Sequence, residues 1–179
     1  MSEVYLTIPS FEDLKYRKKW LMDKETMSYN AGLDLDIKGY NKEDGTIYMS
    51  DSDMLNWYNK WINKEPDRYY AYVYVNNEPV GEVYYYPQDN TYNVGILIYD
   101  KYRGKGYAYQ ALVELLKIAF DKNKIDELVD MIPLDRMEAI KLFKKVGFKL
   151  TDRIHTEKVF DMDTLVGELI LTKEMYDNI

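Results

Sequence analysis

The feature of this chain that most restricts its folding is a change of hydrophobic period near Tyr99. Upstream, "YYAYVYV", "VGEVYYY" and "TYNVGILIY" are β-rich runs separated by "NNEP" and "PQDN". They read as a three-stranded meander whose first turn closes a hairpin. Downstream, Ala108, Ala111, Leu112, Leu115, Leu116, Ala119 and Phe120 fall on one face of a helix ending near Asn123. Between the two lies "YDKYRGKG", which packs three basic residues and two glycines into the junction.

The flanking segments fill in the class. Ser10, with Asp13 three residues on, starts a first helix whose face carries Phe11, Leu14, Lys18 and Leu21. Lys24 to Ser50, broken by Gly32, Gly39 and Gly45, reads as a long, partly ordered loop. "SDSDMLNWYNKWINKEP" is a helix with Met54, Trp57, Tyr58, Trp61 and Ile62 at helical spacing and Pro66 as its stop. "DELVDMIPL" is a short buried strand. "DRMEAIKLFKKVGF" is a helix with Ala139, Ile140, Phe143 and Val146 inward and Gly147 at its C-terminal cap. "FKLTDRIHTEKVF" and "LVGELILTKEM" supply the last strands. The order predicts one α/β domain over residues 1–179 with a mixed sheet.

Composition removes several classes of function. A net charge of -7 argues against nucleic acid, which requires a concentrated basic surface. There is no cysteine, so disulfides and thiolate chemistry are excluded. The lone histidine, His155, is expected in a polar surface loop, and no metal site is expected. No apolar run approaches a membrane span, and the start "MSEVYLTIPSFEDL" has no basic region followed by an apolar one. A cytoplasmic location with no membrane partner is therefore expected.

The glycine junction has its own chemistry. A helix start leaves four N–H groups unpaired and adds partial positive charge. Gly104 and Gly106 allow close backbone approach, while Arg103 and Lys105 add full charges. The result is an anion site suited to a pyrophosphate. "RGKGYA" is not G-x-x-x-x-G-K-[ST], and Tyr109 stands where G-x-G-x-x-G needs its last glycine.

Arg103 to Ala108 fits the [QR]-x-x-G-x-[GA] motif of the GNAT superfamily of N-acetyltransferases, and "MEAIKLFKKVGF" resembles that superfamily's later helix and strand. The resemblance covers Tyr69 to the C-terminus as the core, 69–179. Residues 1–68 correspond to the variable, substrate-side helical region. It implies a mixed, mostly antiparallel sheet of six to seven strands flanked by helices, splayed beside the strand that carries acetyl-CoA. The backbone of Ile96, Leu97 and Ile98 would pair with the pantetheine arm, and Arg103, Gly104, Lys105, Gly106, Tyr107 and Ala108 would wrap the pyrophosphate. Arg136 stands where the family often has asparagine; it either reaches a coenzyme phosphate or is a solvated charge. Phe143 stands where the family often has the tyrosine that protonates the leaving thiolate.

The implied reaction is acetyl transfer from acetyl-CoA to a primary amine by direct attack in a ternary complex. Many relatives carry a glutamate where this chain has Asn93, which leaves Glu82 as the candidate base. Glu82, Tyr84 and Tyr86 share one strand face by alternation, as a cleft wall or a solvated surface. Acceptors of the expected class are small-molecule amines or peptide N-termini, and a homodimer is left open. The rival reading is a non-catalytic acyl-CoA-binding module, which Phe143 and Asn93 favour.

Overall fold

Seven strands form one sheet in the order β1-β2-β3-β4-β5-β7-β6. The computed structural model describes residues 3–179. In chain order its elements are β1 (Val4–Thr7), α1 (Leu14–Leu21), α2 (Lys24–Met27), α3 (Asp51–Trp61), β2 (Tyr69–Val75), β3 (Glu78–Gln88) and β4 (Thr91–Ile98). There follow α4 (Tyr107–Leu116), β5 (Glu127–Pro133), α5 (Met137–Lys145), β6 (Lys149–Val159), β7 (Met162–Thr172) and α6 (Lys173–Asp177). No described helix is long and apolar enough to cross a membrane.

The meander forms as the sequence reading expects. Asn76 and Asn77 both take positive φ, 50° and 63°, the conformation that a two-residue hairpin turn needs to match strand twist. β1 to β4 pair antiparallel in sequence order, as do β5 with β7 and β7 with β6. Between these halves, β4 and β5 run parallel and share one ladder pair, Asn93 with Val129. Beyond that pair the strands part, which gives the splay that the motif resemblance implies.

Strand alternation sorts the side chains into two layers. Tyr69, Ala71, Val73, Val83, Tyr85, Val94 and Ile98 face α4 and α5 and join Leu128, Ile132, Leu169 and Leu171 in the larger core. Tyr70, Tyr72 and Leu97 face the other way and meet Trp20, Leu21, Met27 and Ile62 from the N-terminal helical region. Burying each such side chain contributes about 1.5–3 kcal/mol, so both layers are strongly held.

Four local expectations change. β1 is a strand that the sequence reading did not contain; its four residues pair with β2, from Val4 opposite Val75 to Thr7 opposite Tyr72. Ser10 bonds Asp13, its hydroxyl 2.7 Å from the carboxylate, but these residues form a turn that precedes α1. His155 lies on β6, exposed and 2.7 Å from Glu157, rather than in a loop. The region after Lys24 is also better ordered than its glycines suggest. Gly32 donates to Lys42 and accepts from Phe160, tying the segment to the β6–β7 turn. Ser50 and Asp53 form a full capping box at the start of α3.

Candidate active site

The site begins at the free edge of β4. After Asn93, residues Val94 to Ile98 have no ladder partner on β5, so that edge of the strand is open to an extended guest. The chain then makes a short 3₁₀ turn over Asp100–Tyr102 and enters the glycine junction. Gly104 and Gly106 sit at φ 73° and 79°, where a side chain is disfavoured. A Cβ added at either would meet nothing within 4 Å. Glycine is therefore required there by backbone conformation alone, and the space above the turn is clear. Gly106 caps α4 without a side-chain bond, leaving the first amides of the helix free for an anion.

The two arginines flanking this cleft are turned toward the protein. Arg103 donates to the carbonyls of Ile98 at 3.1 Å, Thr26 at 2.6 Å and Glu25 at 3.3 Å. Arg136, at the N-cap of α5, donates to the Tyr29 carbonyl and lies 5.8 Å from the centre of the Tyr29 ring. Burial lowers the Arg136 pKa. Both side chains hold carbonyls of the same stretch, residues 25–29. Lys105 stays exposed, 5.4 Å above the Tyr102 ring. A hollow of about 210 Å³ beside it is bounded by Tyr102, Tyr107 and the β2–β3 turn. Ile96 is half-buried, Leu97 faces the N-terminal helices and Ile98 faces α4; Ala108 packs against the larger core.

On the other face, Glu82, Tyr84 and Tyr86 do share one side of β3, and that side is covered. Glu82 is 3% exposed. One of its oxygens pairs with Arg17 and the other accepts from the Tyr70 hydroxyl. The Arg17 guanidinium stacks 4.2 Å from the Trp57 ring centre. Burial works against the Arg17 charge, but Glu82 and Tyr70 outweigh it, so its pKa is raised. Burial and then Glu82 push the Tyr70 hydroxyl well up, and burial and then Tyr29 do the same at Tyr84. Tyr84 and Tyr86 pack edge-on to Trp61, at 5.6 and 5.3 Å. Asn93 is turned to Gln88 and Tyr86.

Phe143 is buried on α5 and packs edge-on against Phe148 at 5.0 Å, so it closes the core below the cleft. The sequence reading passed over two charged residues. Arg17 lies one helical turn from both Leu14 and Leu21, a charge on an apolar face that could have marked it. Asp130 breaks the apolar run of "DELVDMIPL"; burial pushes its carboxyl up to about 7 against the opposing pull of the Met131 amide and Arg136.

Three comparisons bear on this geometry. A Bacillus subtilis (strain 168) protein described as an uncharacterized N-acetyltransferase, YycN, is 27% identical over 114 residues, 64% of this chain. The match spans 60% of that relative's length. A GNAT-family acetyltransferase structure from Bacillus anthracis superposes with a TM-score of 0.73 at 18% identity, covering 97% of this chain and 98% of that one. A spermidine N-acetyltransferase from Vibrio cholerae, solved with CoA and spermine, gives 0.78 at 17% identity and 98% of each chain. At those identities the two structures establish the fold, and both share it. The model of the acetyltransferase (GNAT) domain family matches residues 5–149, from β1 through the splay and the glycine turn to the start of β6, and the chain belongs to that family.

Proposed function

We propose that the protein transfers an acetyl group from acetyl-CoA to a primary amine by direct attack in a ternary complex. The observation that carries this reading is the pairing of an unpartnered β4 edge with a bare glycine turn at its end. An extended amide-bearing arm fits the edge, and a pyrophosphate fits the turn. Acetyl-CoA would supply the activated acyl group. Val94 to Ile98 would hold its arm as an added strand, and the amides of Gly104 to Ala108 would hold its phosphates. Arg103 and Arg136 would act first as struts that hold residues 25–29.

The acceptor would lie on the α1–α3 side, against Tyr29, Tyr84 and Tyr86. Aromatic faces hold ammonium groups at roughly 0.5–2 kcal/mol each. The spermine bound by the Vibrio cholerae protein makes polyamines a reasonable first choice among candidate acceptors. Glu82 enters as the acidic centre of this wall. With Arg17 on one oxygen and Tyr70 on the other, it takes a proton from the ammonium only through Tyr70 or by displacing Arg17.

The engaged state of Glu82 and the burial of Phe143 favour a second reading, a non-catalytic acyl-CoA-binding module. Mixing protein, acetyl-CoA and a panel of polyamines, aminoglycoside-like amines and peptides, and following free thiol, separates the two. Amine-dependent thiol release is expected. Tight acetyl-CoA binding with no release for any amine would establish the binding module instead.

A further inference from the structure

We propose that Asp130 is the proton donor to the departing sulfur, acting from the point where β4 and β5 part. The proposal rests on the acetyl-transfer reading and adds a residue to it.

Position comes first. Val129 makes the one ladder pair across the splay, and the parallel strands diverge beyond it. Asp130 is therefore the first β5 residue past the apex of the notch. By alternation its side chain shares the face of Leu128 and Ile132, which belong to the same core cluster as Phe143. With the phosphates at the start of α4 and the arm laid back along β4 from Ile98 toward Val94, the reactive end of the guest would reach the apex beside Asp130. Its side chain is half-buried, yet closely surrounded by protein, as suits a group lining a narrow slot.

The charged surroundings leave the carboxyl available. Among the described residues it has no ion-pair partner. From the start of α5 it feels Arg136, whose own charge is balanced by Asp135, Tyr29, Asp130 and Glu157 in that order. On that face β4 contributes the apolar Val94 next to the apex, and β7 contributes Leu169 directly opposite. Phe143, the aromatic residue on α5 nearest in sequence pattern to a donor, has no proton to give.

The proton balance closes. As the amine nitrogen bonds the carbonyl carbon, the carbon–sulfur bond breaks and its electron pair stays on sulfur. Asp130, in its acid form, passes its O–H proton to that sulfur, giving free thiol and a carboxylate. The nitrogen loses its surplus proton to water, and water reprotonates Asp130. A carboxyl at about 7 is mixed between acid and base forms at neutral pH. A thiol of pKa about 8.5 lies above it, so the transfer runs downhill.

The test has two arms. The first follows the ¹³C carboxyl resonance of Asp130, assigned with Asp130→Asn, through a pH titration with and without coenzyme A. No amine is needed. A midpoint near neutrality that moves when coenzyme A binds, and moves differently with desulfo-coenzyme A, is expected. A resonance indifferent to the sulfur overturns the placement. The second arm measures kcat for Asp130→Asn with the best amine of the panel. A loss of about a hundredfold or more with unchanged acetyl-CoA affinity is expected. It should largely vanish with an acetyl thioester of a much more acidic aromatic thiol, which leaves unprotonated. Turnover with an indifferent Asp130 overturns the donor role alone. Absence of turnover in the wild type overturns the transfer reading and the donor role with it.

Discussion

The glycine turn and the Glu82 centre lie at the same end of the β3–β4 pair, where Glu82 stands opposite Leu97 just before the turn, and they are built on opposite principles. The turn consists of backbone in a conformation that only glycine takes easily, with free amides and empty space above it. The Glu82 centre consists of side chains, each with its partner inside the protein: Arg17 on the carboxylate, Trp57 under Arg17, Tyr70 between them. An unsatisfied region in a folded chain waits for a ligand. A satisfied one holds shape, and an incoming group must compete with what is already there.

The largest test of this contrast is Glu82→Gln. It leaves Arg17 as a buried charge without its counter-ion, and breaking such a pair costs about 3–5 kcal/mol. Denaturant melts should show that loss, and Arg17→Met combined with Glu82→Gln should recover most of it. A single variant as stable as the wild type would make the centre a ligand site after all. Its pH–rate profile, compared with that of the wild type, also reads whether Glu82 takes the acceptor's proton.

Gly106→Val comes next. A β-branched residue at φ 79° costs of order 1–3 kcal/mol, which the turn can relieve only by abandoning its shape. Calorimetry should show acetyl-CoA affinity reduced by up to roughly a hundredfold with the fold retained. Equal affinity in a folded variant would remove the turn from the site.

Asp130 gives a pH signature in the ligand-free protein. Its carboxyl pKa is raised by burial from 3.8 to about 7, so the folded state holds a proton that the unfolded chain releases. Its contribution to stability is complete below about pH 4, falls as pH rises toward 7, and is flat above. Because water reaches the slot, the loss should be discounted to roughly 2 kcal/mol. Asp130→Asn should abolish that slope in melts run between pH 4 and 8, and an unchanged slope would assign it to other groups.

Phe143→Tyr is the smallest change. Phe143 is 3% exposed and packs on Phe148, so the added hydroxyl enters an apolar core. A loss of about 1 kcal/mol is expected by thermal melting. If turnover rises in that variant, the hydroxyl has reached the thioester and Asp130 shares the donor role.

What could be read in the sequence was what nearby residues decide. The meander, α4, α5 and the cap at Gly147 follow from hydrophobic period and from turn residues within a few positions of one another. The glycine turn was legible for the same reason: Gly104 and Gly106 are needed for a local φ. β1 was not, because four residues without a turn signal become a strand only by pairing with β2, some seventy positions away. Nor was the engagement of Glu82, whose partner Arg17 is separated from it by 65 residues. Arg103 was read as a phosphate ligand because charge beside a glycine turn suggests it, and Arg136 as a phosphate ligand or a solvated charge because it stands where the family often has asparagine. Their carbonyl partners at Glu25, Thr26 and Tyr29 lie 78, 77 and 107 positions away, beyond any local pattern.

The parted strands also carry a colloidal consequence. "VGILI", Val94 to Ile98, is an uncharged segment of high β-propensity that keeps one row of backbone groups unpaired in the middle of a sheet. Such a row is normally dangerous only at a sheet's margin, where it recruits other chains into cross-β stacks. Here the row faces β5 inside the sheet rather than open solvent at its margin, a position that favours a thin, extended molecule over a second protein. The guest that fits the notch is therefore also its stopper. Chain kept for long periods at elevated temperature should precipitate more slowly when that guest is present, by more than the shift in melting point alone accounts for.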